Sequence, residues 1–319
     1  SMAGKKEQLK ALEEDIRRHR RLYYNEQPEL SDAEFDELLD KLKELDPGSE
    51  VLAEVGAPLD LDQAGLPTKE HRIPMGSLDK VTEEKLELWV EKAGPLFLIQ
   101  EKLDGISLEL EYQEGRLVDA ITRGNGFTGE VVSHNAVHFS NISTELPSPF
   151  TGSVRGEVIL RLSTFEEHFK EKDFANPRNT VSGTVRKKHG DRSLNKYFEL
   201  FFYDVLSVDR KFESEKEKMG YLSDELGLAV AESYFDQTME GLLDIYDLYE
   251  GDGEANGKRF ELDYEIDGLV VRSDSIALQE ELGSRQNRPR YAMAYKFPSS
   301  GNATKLLAVD WSLGLGSRL

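Results

Sequence analysis

Cysteine is absent from all 319 residues of the chain. This absence excludes disulfide bonds, thiol nucleophiles, iron–sulfur clusters and cysteine-based zinc sites. Long apolar runs are also missing: no stretch approaches the ~18 residues that a membrane span needs, and the N-terminus lacks a charged-then-apolar signal pattern. We therefore expect a protein of the cytoplasm that has no membrane partner.

Basic residues are outnumbered by acidic ones. The sequence has 40 Lys and Arg against 61 Asp and Glu, which gives a formal charge of −21. Such a charge repels nucleic acids and anionic surfaces at long range. Any contact with DNA must therefore use a local basic patch or another part of a longer protein. The run RKKH at 186–189 is one such patch, although it could equally be a solvated face.

The length predicts two domains at ~150 residues each. Two amphipathic helices are predicted first, one over 5–24 and one that opens at Ser31, where Ser31 and Glu34 form an S-x-x-E capping box. The stretch 55–76 has little periodicity and predicts a connector. We assign a helical module with its connector to residues 1–70, and a second domain to residues 71–319.

The second domain alternates predicted strands and helices irregularly. Helices are predicted near 164–172, 214–227 and 239–250. Strands are predicted at 96–101, 106–112, 116–123, 153–160, 198–206, 265–272 and 291–297. Several strands follow each other at hairpin spacing. The pattern predicts an α+β fold with largely antiparallel sheets.

Two further motifs resemble known functional motifs but lack features that those motifs require. The glycines of RGNGFTG (123–129) have the G-x-G-x-x-G spacing of a dinucleotide-binding turn, but the preceding strands look like a hairpin and Asn-Gly is itself a turn signal. The histidines of HNAVH (134–138) have the i,i+4 spacing of zinc proteases, but Asn135 stands where such a site needs glutamate. We interpret both as ordinary structural segments.

The informative segment is EKLDG at 101–105. Taken alone, a lysine between two strands followed by Asp-Gly predicts only a charged turn. Five more charged segments lie at or near predicted strand edges or turns, where their side chains could converge on one cleft. They are RGNG at 123–126, VRGEV at 154–158, NPRN at 176–179, DGLVVR at 267–272 and YAMAYKF at 291–297. Six such segments in this order along the chain are not expected by chance.

Together these segments resemble the NAD⁺-dependent DNA ligases of the bacterial type. The resemblance covers residues 5–319, including the spacing of 24 between Arg272 and Lys296. It implies a covalent nucleotidyltransferase fold in which a small helical module precedes an adenylation domain. In that family NAD⁺ adenylates the K-x-D-G lysine, nicotinamide mononucleotide leaves, and AMP passes to the 5′-phosphate of nicked double-stranded DNA, with Mg²⁺ as cofactor. We expect this chain to be a monomeric fragment that performs only the self-adenylation step.

The resemblance also implies site residues by position. Lys102 matches the nucleophile, Lys296 matches the lysine at the reacting phosphate, and Arg272 ends the D-G motif. Glu157 matches an acid near the sugar or the water shell of Mg²⁺, for which the metal ligands stay undetermined. The implied cofactor-binding positions are Tyr23, Tyr24, Asp32, Phe35 and Asp36 for the nicotinamide mononucleotide half, and Ser77, Leu78, Gln100, Glu101, Arg123, Glu157, Arg272 and Lys296 for the rest. Arg178 and Arg186 match arginines that face DNA and phosphate.

The helical module also has a purely structural interpretation. Tyr23 and Phe35 could simply pack the two helices together. Asp32 lies in the first turn of a helix, where the helix dipole stabilises a carboxylate without any ligand. The sequence leaves the two interpretations open.

Four positions depart from the family pattern. Gln100 stands where glutamate is usual, Arg272 where lysine is usual, and Tyr24 and Phe35 where histidine and tyrosine are frequent. Arginine keeps the charge but is larger and planar, so it does not replace lysine at a tight phosphate site. These departures keep open a catalytically degenerate, ligase-derived DNA-repair scaffold. A second alternative is an ATP-using nucleotidyltransferase of the ligase or capping type, which lacks the helical module.

The chemistry requires Lys102 to attack as a neutral amine. A free lysine titrates near ~10.4, so we expect a pKa lowered by ~2–3. Partial burial and the neighbouring cations Lys296, Arg272 and Mg²⁺ would lower it. The same cations would stabilise the charge that develops on the phosphate.

Overall fold

The structure, a computed structural model, describes residues 1–24, 29–55, 65–172 and 174–298. Within these ranges no helix is both long and apolar enough to cross a membrane. The middle of the predicted connector, 56–64, lies outside the described residues.

The N-terminal module is a small helical bundle. Its helices are α1 (Met2–Tyr24), α2 (Asp32–Leu45) and α3 (Glu50–Val55). Both predicted helices are confirmed, and so is the capping box: Ser31 Oγ accepts from the Glu34 N–H at 3.1 Å, while Glu34 Oε1 accepts from the Ser31 N–H at 3.2 Å. The buried core of the bundle is Leu12, Ile16, Leu39, Leu42 and Val51.

Two sheets dominate the rest of the described chain. One has five strands in the order β2-β13-β10-β3-β9, and the other has four in the order β5-β4-β7-β8. The strands are β1 (Thr68–Glu70), β2 (Asp79–Lys80), β3 (Phe97–Leu103), β4 (Ile106–Gln113), β5 (Arg116–Thr122), β6 (Thr128–Glu130), β7 (Gly152–Ile159), β8 (Glu199–Ser207), β9 (Ser233–Gln237), β10 (Ile266–Ser273), β11 (Ser284–Arg285), β12 (Arg288–Pro289) and β13 (Ala292–Lys296).

Every described pairing between these strands is antiparallel except that of β2 with β13. The predicted α+β class with largely antiparallel sheets is therefore confirmed, and a strand lies at each of the seven predicted places. The accompanying helices are α4 (Glu83–Ala93), α5 (Ser133–Ala136), α6 (Leu162–His168), α7 (Pro177–Val185), α8 (Arg192–Asn195), α9 (Glu215–Gly220), α10 (Met239–Glu250) and α11 (Ile276–Leu282).

Each face of β3 packs against a different core, because side chains alternate along a strand. Phe97 and Ile99 lie in a cluster beneath the five-stranded sheet, with Leu269 and Tyr249. Leu98 lies in the other cluster, which belongs to the four-stranded sheet. The even-numbered residues of β3 therefore face the space between the two sheets.

Residues just before the predicted domain boundary pair with the second domain. β1 pairs with β6 in the register Thr68↔Glu130, while the boundary between residues 70 and 71 stays a prediction. The RGNG segment is a turn, as expected: the Gly126 N–H donates to Arg123 O at 3.0 Å, and no βαβ unit follows. No cluster of three or more His, Asp or Glu side chains placed to hold a metal ion together occurs in the described residues.

The helical module docks on the second domain through the start of α2. Lys80 donates to the carbonyl of Ala33 and pairs with Asp40, both at 3.3 Å. Arg288 pairs with Asp40 at 3.2 Å, and Arg178 donates to the carbonyl of Leu30 at 3.3 Å. These contacts bring the first two turns of α2 to the space between the sheets.

Candidate active site

One pocket lies between the two large sheets and is bordered by α2. The five-stranded sheet contributes Gln100, Lys102, Val270, Arg272, Ala294 and Lys296. The four-stranded sheet and the β3–β4 turn contribute Asp104, Gly105, Ser107, Glu157 and Tyr203. The remaining lining includes Met75, Gly76, Ser77, Leu78, Arg123, Arg178, Asp267, and, from α2, Ala33 and Asp36.

The register of the five-stranded sheet orders its pocket residues in rows. Gly268 pairs with both Lys102 and Lys296, so the two lysines flank one glycine in the same row. Gly268 leaves no room for a side chain, because a Cβ there would lie 2.7 Å from the carbonyl oxygen of Tyr295. The next row, ~7 Å away, pairs Val270 with Gln100 and Ala294. The pocket floor therefore has a cationic end and a less charged end.

A carboxylate joins the two lysines. Asp267 lies 3.3 Å from the Nζ of Lys102 and 3.5 Å from that of Lys296. Burial opposes the charge of Asp267, but Lys102 and Lys296 outweigh it and lower the pKa of this carboxyl. Burial and the nearby Lys102 lower the pKa of Lys296.

The prediction of a lowered pKa at Lys102 is wrong for the structure as it stands. Burial does favour the neutral amine, but attraction to Asp267, Glu157 and Asp36 is larger and raises the pKa of Lys102. These carboxylates do not enter the prediction, which rests on partial burial and the neighbouring cations. Lys102 is thus held as an ammonium ion.

Glu157 on β7 forms the opposite wall of the pocket. It accepts a hydrogen bond from the Gly105 N–H at 3.0 Å and another from Ser107 Oγ at 2.7 Å. Tyr203 donates to Ser107 Oγ at 3.3 Å, and burial raises the pKa of Tyr203 to about 12. This chain of bonds ties the turn that follows Lys102 to the four-stranded sheet.

Ser77 and His71 hold Arg123 in position, one through its guanidinium and the other through its backbone carbonyl. Its guanidinium donates to Ser77 Oγ, which links two predicted site residues. The buried ring of His71 lies 3.0 Å from the Arg123 carbonyl through Nε2 and 3.0 Å from Glu109 through Nδ1. Glu109 also accepts from Arg155 at 2.9 Å. Burial opposes the charge of Glu109, but His71 and Arg155 outweigh it and lower its pKa.

Gln100 and Arg272, the two departures on the pocket floor, contact each other. Arg272 Nη2 donates to Gln100 Oε1 at 2.5 Å. Gln100 Nε2 in turn donates to Ser233 Oγ at 2.9 Å. Both side chains are buried, and Glu215 Oε2 lies 3.9 Å from the Arg272 guanidinium.

Glu101 lines the pocket, but its carboxylate is directed to the core beneath the sheet, and its predicted contact with the cofactor stays a prediction. The carboxylate accepts from Tyr249 at 2.6 Å and from Tyr264, and Glu101 is only 3% exposed. Gln100 and Lys102 face the pocket, so the side chain between them must face the core beneath the sheet. Burial is the main reason that the pKa of Glu101 is raised.

Neither predicted DNA-facing arginine is on the surface. Arg186 is 1% exposed and pairs with Glu130 at 2.6 Å, so the structure places it in the interior. Arg178 is 3% exposed and lies 3.4 Å from Asp104 at the joint with α2. A buried guanidinium paired with a carboxylate stabilises local structure, and Arg178 alone of the two lines the pocket.

The helical module contributes one of its predicted residues to the pocket, Asp36. Phe35 packs against the module's own core, which fits the structural interpretation of that residue. The side chains of Tyr23, Tyr24 and Asp32 lie outside the described part of the chain.

Asp267 and Tyr203 are among the pocket residues that have no predicted role. Asp267 stands in the quoted DGLVVR segment, and an acid directly before glycine in a basic motif was the available signal. Tyr203 lies on a predicted strand, but which face of that strand meets the pocket depends on the packing of the two sheets.

The sequence matches two family models. Residues 63–300 match the NAD-dependent DNA ligase adenylation domain, and residues 2–56 match the DNA ligase-like, N-terminal NAD⁺-binding domain. Among solved structures, a mycobacterial DNA ligase D complexed with ATP and MES shares 12% identity at a TM-score of 0.41, covering 73% of this chain and 60% of that one. So distant a likeness adds nothing to the family match.

Curated relatives cover nearly the whole chain. A DNA ligase of Sorangium cellulosum is 36% identical over 347 residues, which are 98% of this chain and 48% of that protein. A DNA ligase of Treponema denticola is 35% identical over 329 residues, which are 97% of this chain and 48% of that protein. The chain thus spans about half the length of these relatives. With both domains matched in order along its length, this chain belongs to the NAD-dependent DNA ligase family.

Proposed function

We propose that this chain uses NAD⁺ to adenylate its own Lys102, the first step of DNA ligation. The observation that carries the proposal is the pairing of Lys102 and Lys296 around Asp267 in a pocket that α2 also borders. Two ammonium groups in one row form a site for a phosphate, whose charge they would stabilise as it develops.

In the proposed step the neutral Nζ of Lys102 attacks the α-phosphorus of NAD⁺. The N–P bond forms as the bond from that phosphorus to the bridging oxygen breaks. Nicotinamide mononucleotide leaves with the electron pair on its phosphate oxygen. One proton departs from the Lys102 ammonium before attack, and a second departs from the nitrogen as the phosphoramidate forms. No oxidation takes place, so NAD⁺ serves only as a nucleotide donor.

The side chains in the lysine row have separate tasks in this proposal. Asp267 holds Lys102 beside the phosphate position at the cost of keeping it charged. Lys296, in the same row, neutralises the phosphate that Lys102 attacks. Loss of a proton from Lys102 then needs additional positive charge near Asp267.

The pocket carries oxygen groups suited to Mg²⁺. Asp104, Glu157 and Asp267 line it, and Mg²⁺ is usually held by one or two carboxylates together with substrate phosphates and waters. Both oxygens of Glu157 already accept hydrogen bonds, so we propose that Glu157 would hold the ion through water. When bound, Mg²⁺ would supply the positive charge that lowers the pKa of Lys102 and offsets the phosphates.

The start of α2 supports NAD⁺ over ATP as the nucleotide. Ala33 and Asp36 border the pocket together with the lysines, and α2 is held there by Lys80 and Arg288. A carboxylate can pair with the positive nicotinamide ring or accept from a ribose hydroxyl. An ATP-using enzyme has no such group to bind, so α2 would have no function in it.

In the whole protein, we propose that AMP passes from Lys102 to the 5′-phosphate of nicked DNA, after which the nick is sealed. The charge of −21 opposes DNA binding by this part alone. With Arg186 in the interior, we assign most DNA contacts to the remaining half of the longer protein. We propose a cytoplasmic enzyme whose NAD⁺-reacting half is a monomer.

Intact mass after incubation with Mg²⁺ and either NAD⁺ or ATP tests the proposal. We expect one added AMP with NAD⁺ and none with ATP. Asp36→Ala should slow the NAD⁺ reaction by ~10-fold or more, because misplacement of the leaving group by ~1 Å can cost ~100-fold. Glu44→Ala, on an exposed position of the same helix, should leave the rate unchanged. An adduct formed from ATP and not from NAD⁺ would reject the proposal.

A further inference from the structure

Three buried ionisable side chains form a cluster beside the pocket and do not belong to its described lining. They are Glu109 on β4, Arg155 on β7, and His71 just after β1. Glu109 is 0% exposed, its Oε1 accepts from Arg155 at 2.9 Å, and its Oε2 lies 3.0 Å from His71 Nδ1. One buried carboxylate thus holds two basic side chains, and each of these continues toward the pocket wall.

The partners of His71 require a proton on both nitrogens of its ring. Nε2 lies 3.0 Å from the carbonyl oxygen of Arg123, which can only accept. Nδ1 faces Glu109, where burial opposes the charge but His71 and Arg155 outweigh it and lower the pKa of the carboxyl. This partner is therefore a carboxylate, which also only accepts. With an acceptor at each nitrogen, the ring donates twice and links Glu109 to the backbone of Arg123.

The Arg123 carbonyl that the ring contacts closes the RGNG turn, because it also accepts from the Gly126 N–H at 3.0 Å. The carbonyl of Gly126 accepts from the Met75 N–H at 2.7 Å. The carbonyl of Phe127 accepts from the His71 N–H at 2.8 Å. The ring and the backbone of His71 therefore fix the turn that carries Arg123, whose side chain lines the pocket.

A second path of hydrogen bonds runs from Arg155 to the same residue. The Arg155 guanidinium donates to the carbonyls of residues 73 and 74, in the segment just before Ser77. Ser77 Oγ in turn accepts from the Arg123 guanidinium. The two paths that begin at the buried carboxylate thus both end at Arg123, one at its backbone and the other at its side chain.

We propose that Glu109 is a positioning residue for self-adenylation, which acts through a doubly protonated His71 to hold Arg123 where it meets the nucleotide. This inference rests on the proposed reaction of Lys102 with NAD⁺. Buried ions seldom stabilise a fold more than apolar side chains of the same volume would, because desolvation offsets their attraction. What the cluster adds is a fixed position for Arg123, and a misplacement of ~1 Å in a site can cost ~100-fold in rate.

The dependence of self-adenylation on NAD⁺ concentration tests this role. Glu109→Gln keeps the size of the side chain but leaves one acceptor oxygen for two donors. We expect the half-saturating NAD⁺ concentration to rise ~10-fold and the maximal rate to change by less than ~3-fold, because Arg123 would contact the nucleotide both before and during attack. Glu250→Gln removes the partner of the buried Arg259, 2.8 Å away and outside the pocket lining, and should leave both quantities unchanged.

The same change in an Arg123→Ala background shows whether Glu109 acts through Arg123. Arg123→Ala should itself raise the half-saturating NAD⁺ concentration. Once the guanidinium is gone, adding Glu109→Gln should raise it by a further ~2-fold or less, because the effects of coupled residues are not additive in free energy. If the two single effects multiply instead, Glu109 acts on the fold in general and the inference is overturned.

Nitrogen NMR of the His71 ring tests the link in the wild type, so that the inference can fail even where a variant does not fold. In protein labelled with ¹⁵N-histidine, with the ring assigned through its own backbone, we expect both ring nitrogens to carry a proton at pH 7. A single protonated nitrogen would overturn the inference, because one of the two acceptors would then lack its donor.

The outcomes separate this inference from the proposed function. An adduct that forms in folded Glu109→Gln with an unchanged half-saturating NAD⁺ concentration would reject the positioning role and leave self-adenylation standing. No adduct in the wild type would reject self-adenylation, and the positioning role with it.

Discussion

Lys102 shows how surrounding carboxylates set the protonation state of a buried lysine. Burial opposes the ammonium form, but Asp267, Glu157 and Asp36 together outweigh it, so the pKa of Lys102 is raised while that of Asp267 is lowered. The side chain is held in place but protonated. In the proposed reaction, loss of the proton would depend on positive charge that arrives with the nucleotide and Mg²⁺, which would couple deprotonation to binding.

Asp267→Asn should move the pH dependence of self-adenylation. Removing the carboxylate lowers the pKa of Lys102, and the neutral amine is the reactive form, so the acid limb of the pH–rate profile should shift to lower pH by about one unit. The maximal rate should fall ~10- to 100-fold, because Lys102 loses its anchor. Rates of adduct formation measured across a range of pH give both the position of the acid limb and the maximal rate. Asp209→Asn, which changes an exposed acid, is the control. An unmoved limb would contradict the assigned role of Asp267.

For single residues, the sequence predicts which positions line the pocket better than it predicts which way a side chain faces or how its pKa shifts. Lys102, Lys296 and Arg272 line one pocket, as the order of the charged segments predicts, and Gln100, a position given by the family resemblance, lines it too. Glu101 was assigned to the cofactor by its place in the motif, although strand alternation already sends it to the face opposite Lys102. The raised pKa of Lys102 was unpredictable because the approach of Asp267 depends on the register of β3 with β10.

At the scale of elements, the start of α2 is the joint between the module and the second domain. Glu34 lies there within the capping box, and burial raises its pKa to about 7, with Asp104 adding to the shift. Its Oε2 has no hydrogen-bond partner among the described residues. The joint thus contains a carboxyl group that folding prefers to keep protonated.

Glu34→Gln should stabilise the protein at pH 8. The folded pKa of about 7 exceeds the ordinary 4.5, so stability falls as pH rises between these values and stays low above them. Glutamine keeps the capping box and removes the ionisation, which is worth up to about 3 kcal/mol. Urea unfolding of the wild type and of Glu34→Gln at pH 5 and pH 8 measures this change in the free energy of unfolding. Glu44→Gln, on the exposed side of α2, is the control. Equal pH dependence in Glu34→Gln and wild type would show that Glu34 ionises freely.

The sequence predicted long elements and missed short ones. The capping box placed the start of α2 to the residue, because that signal is local. β2 and β6 have two and three residues, too few for any periodicity, yet β6 pairs with β1 and β2 pairs with β13. The helix α4, which the predictions omit, does have a sequence signal, because Leu86, Val90 and Ala93 recur at helical spacing.

At the scale of the whole molecule, the chain is acidic and keeps its basic pocket residues between the two sheets. Its formal charge of −21 and its buried arginines disfavour DNA, while its pocket brings together the lysines to which we assign the phosphate of NAD⁺ in the proposed reaction. The NAD⁺-binding and adenylation domains match in order, and the chain covers about half of its relatives. This division fits a protein in which nucleotide activation and DNA binding are carried by different domains.

The most direct measurement of the central claim is the site of the adduct. The chain is incubated with NAD⁺ and Mg²⁺, digested under conditions that preserve phosphoramidates, and mapped by peptide mass spectrometry. We predict AMP only on the peptide that contains Lys102, none in Lys102→Arg, and an unchanged yield in Lys85→Arg, which alters an exposed lysine. AMP on Lys296, or an adduct that persists in Lys102→Arg, would contradict the account.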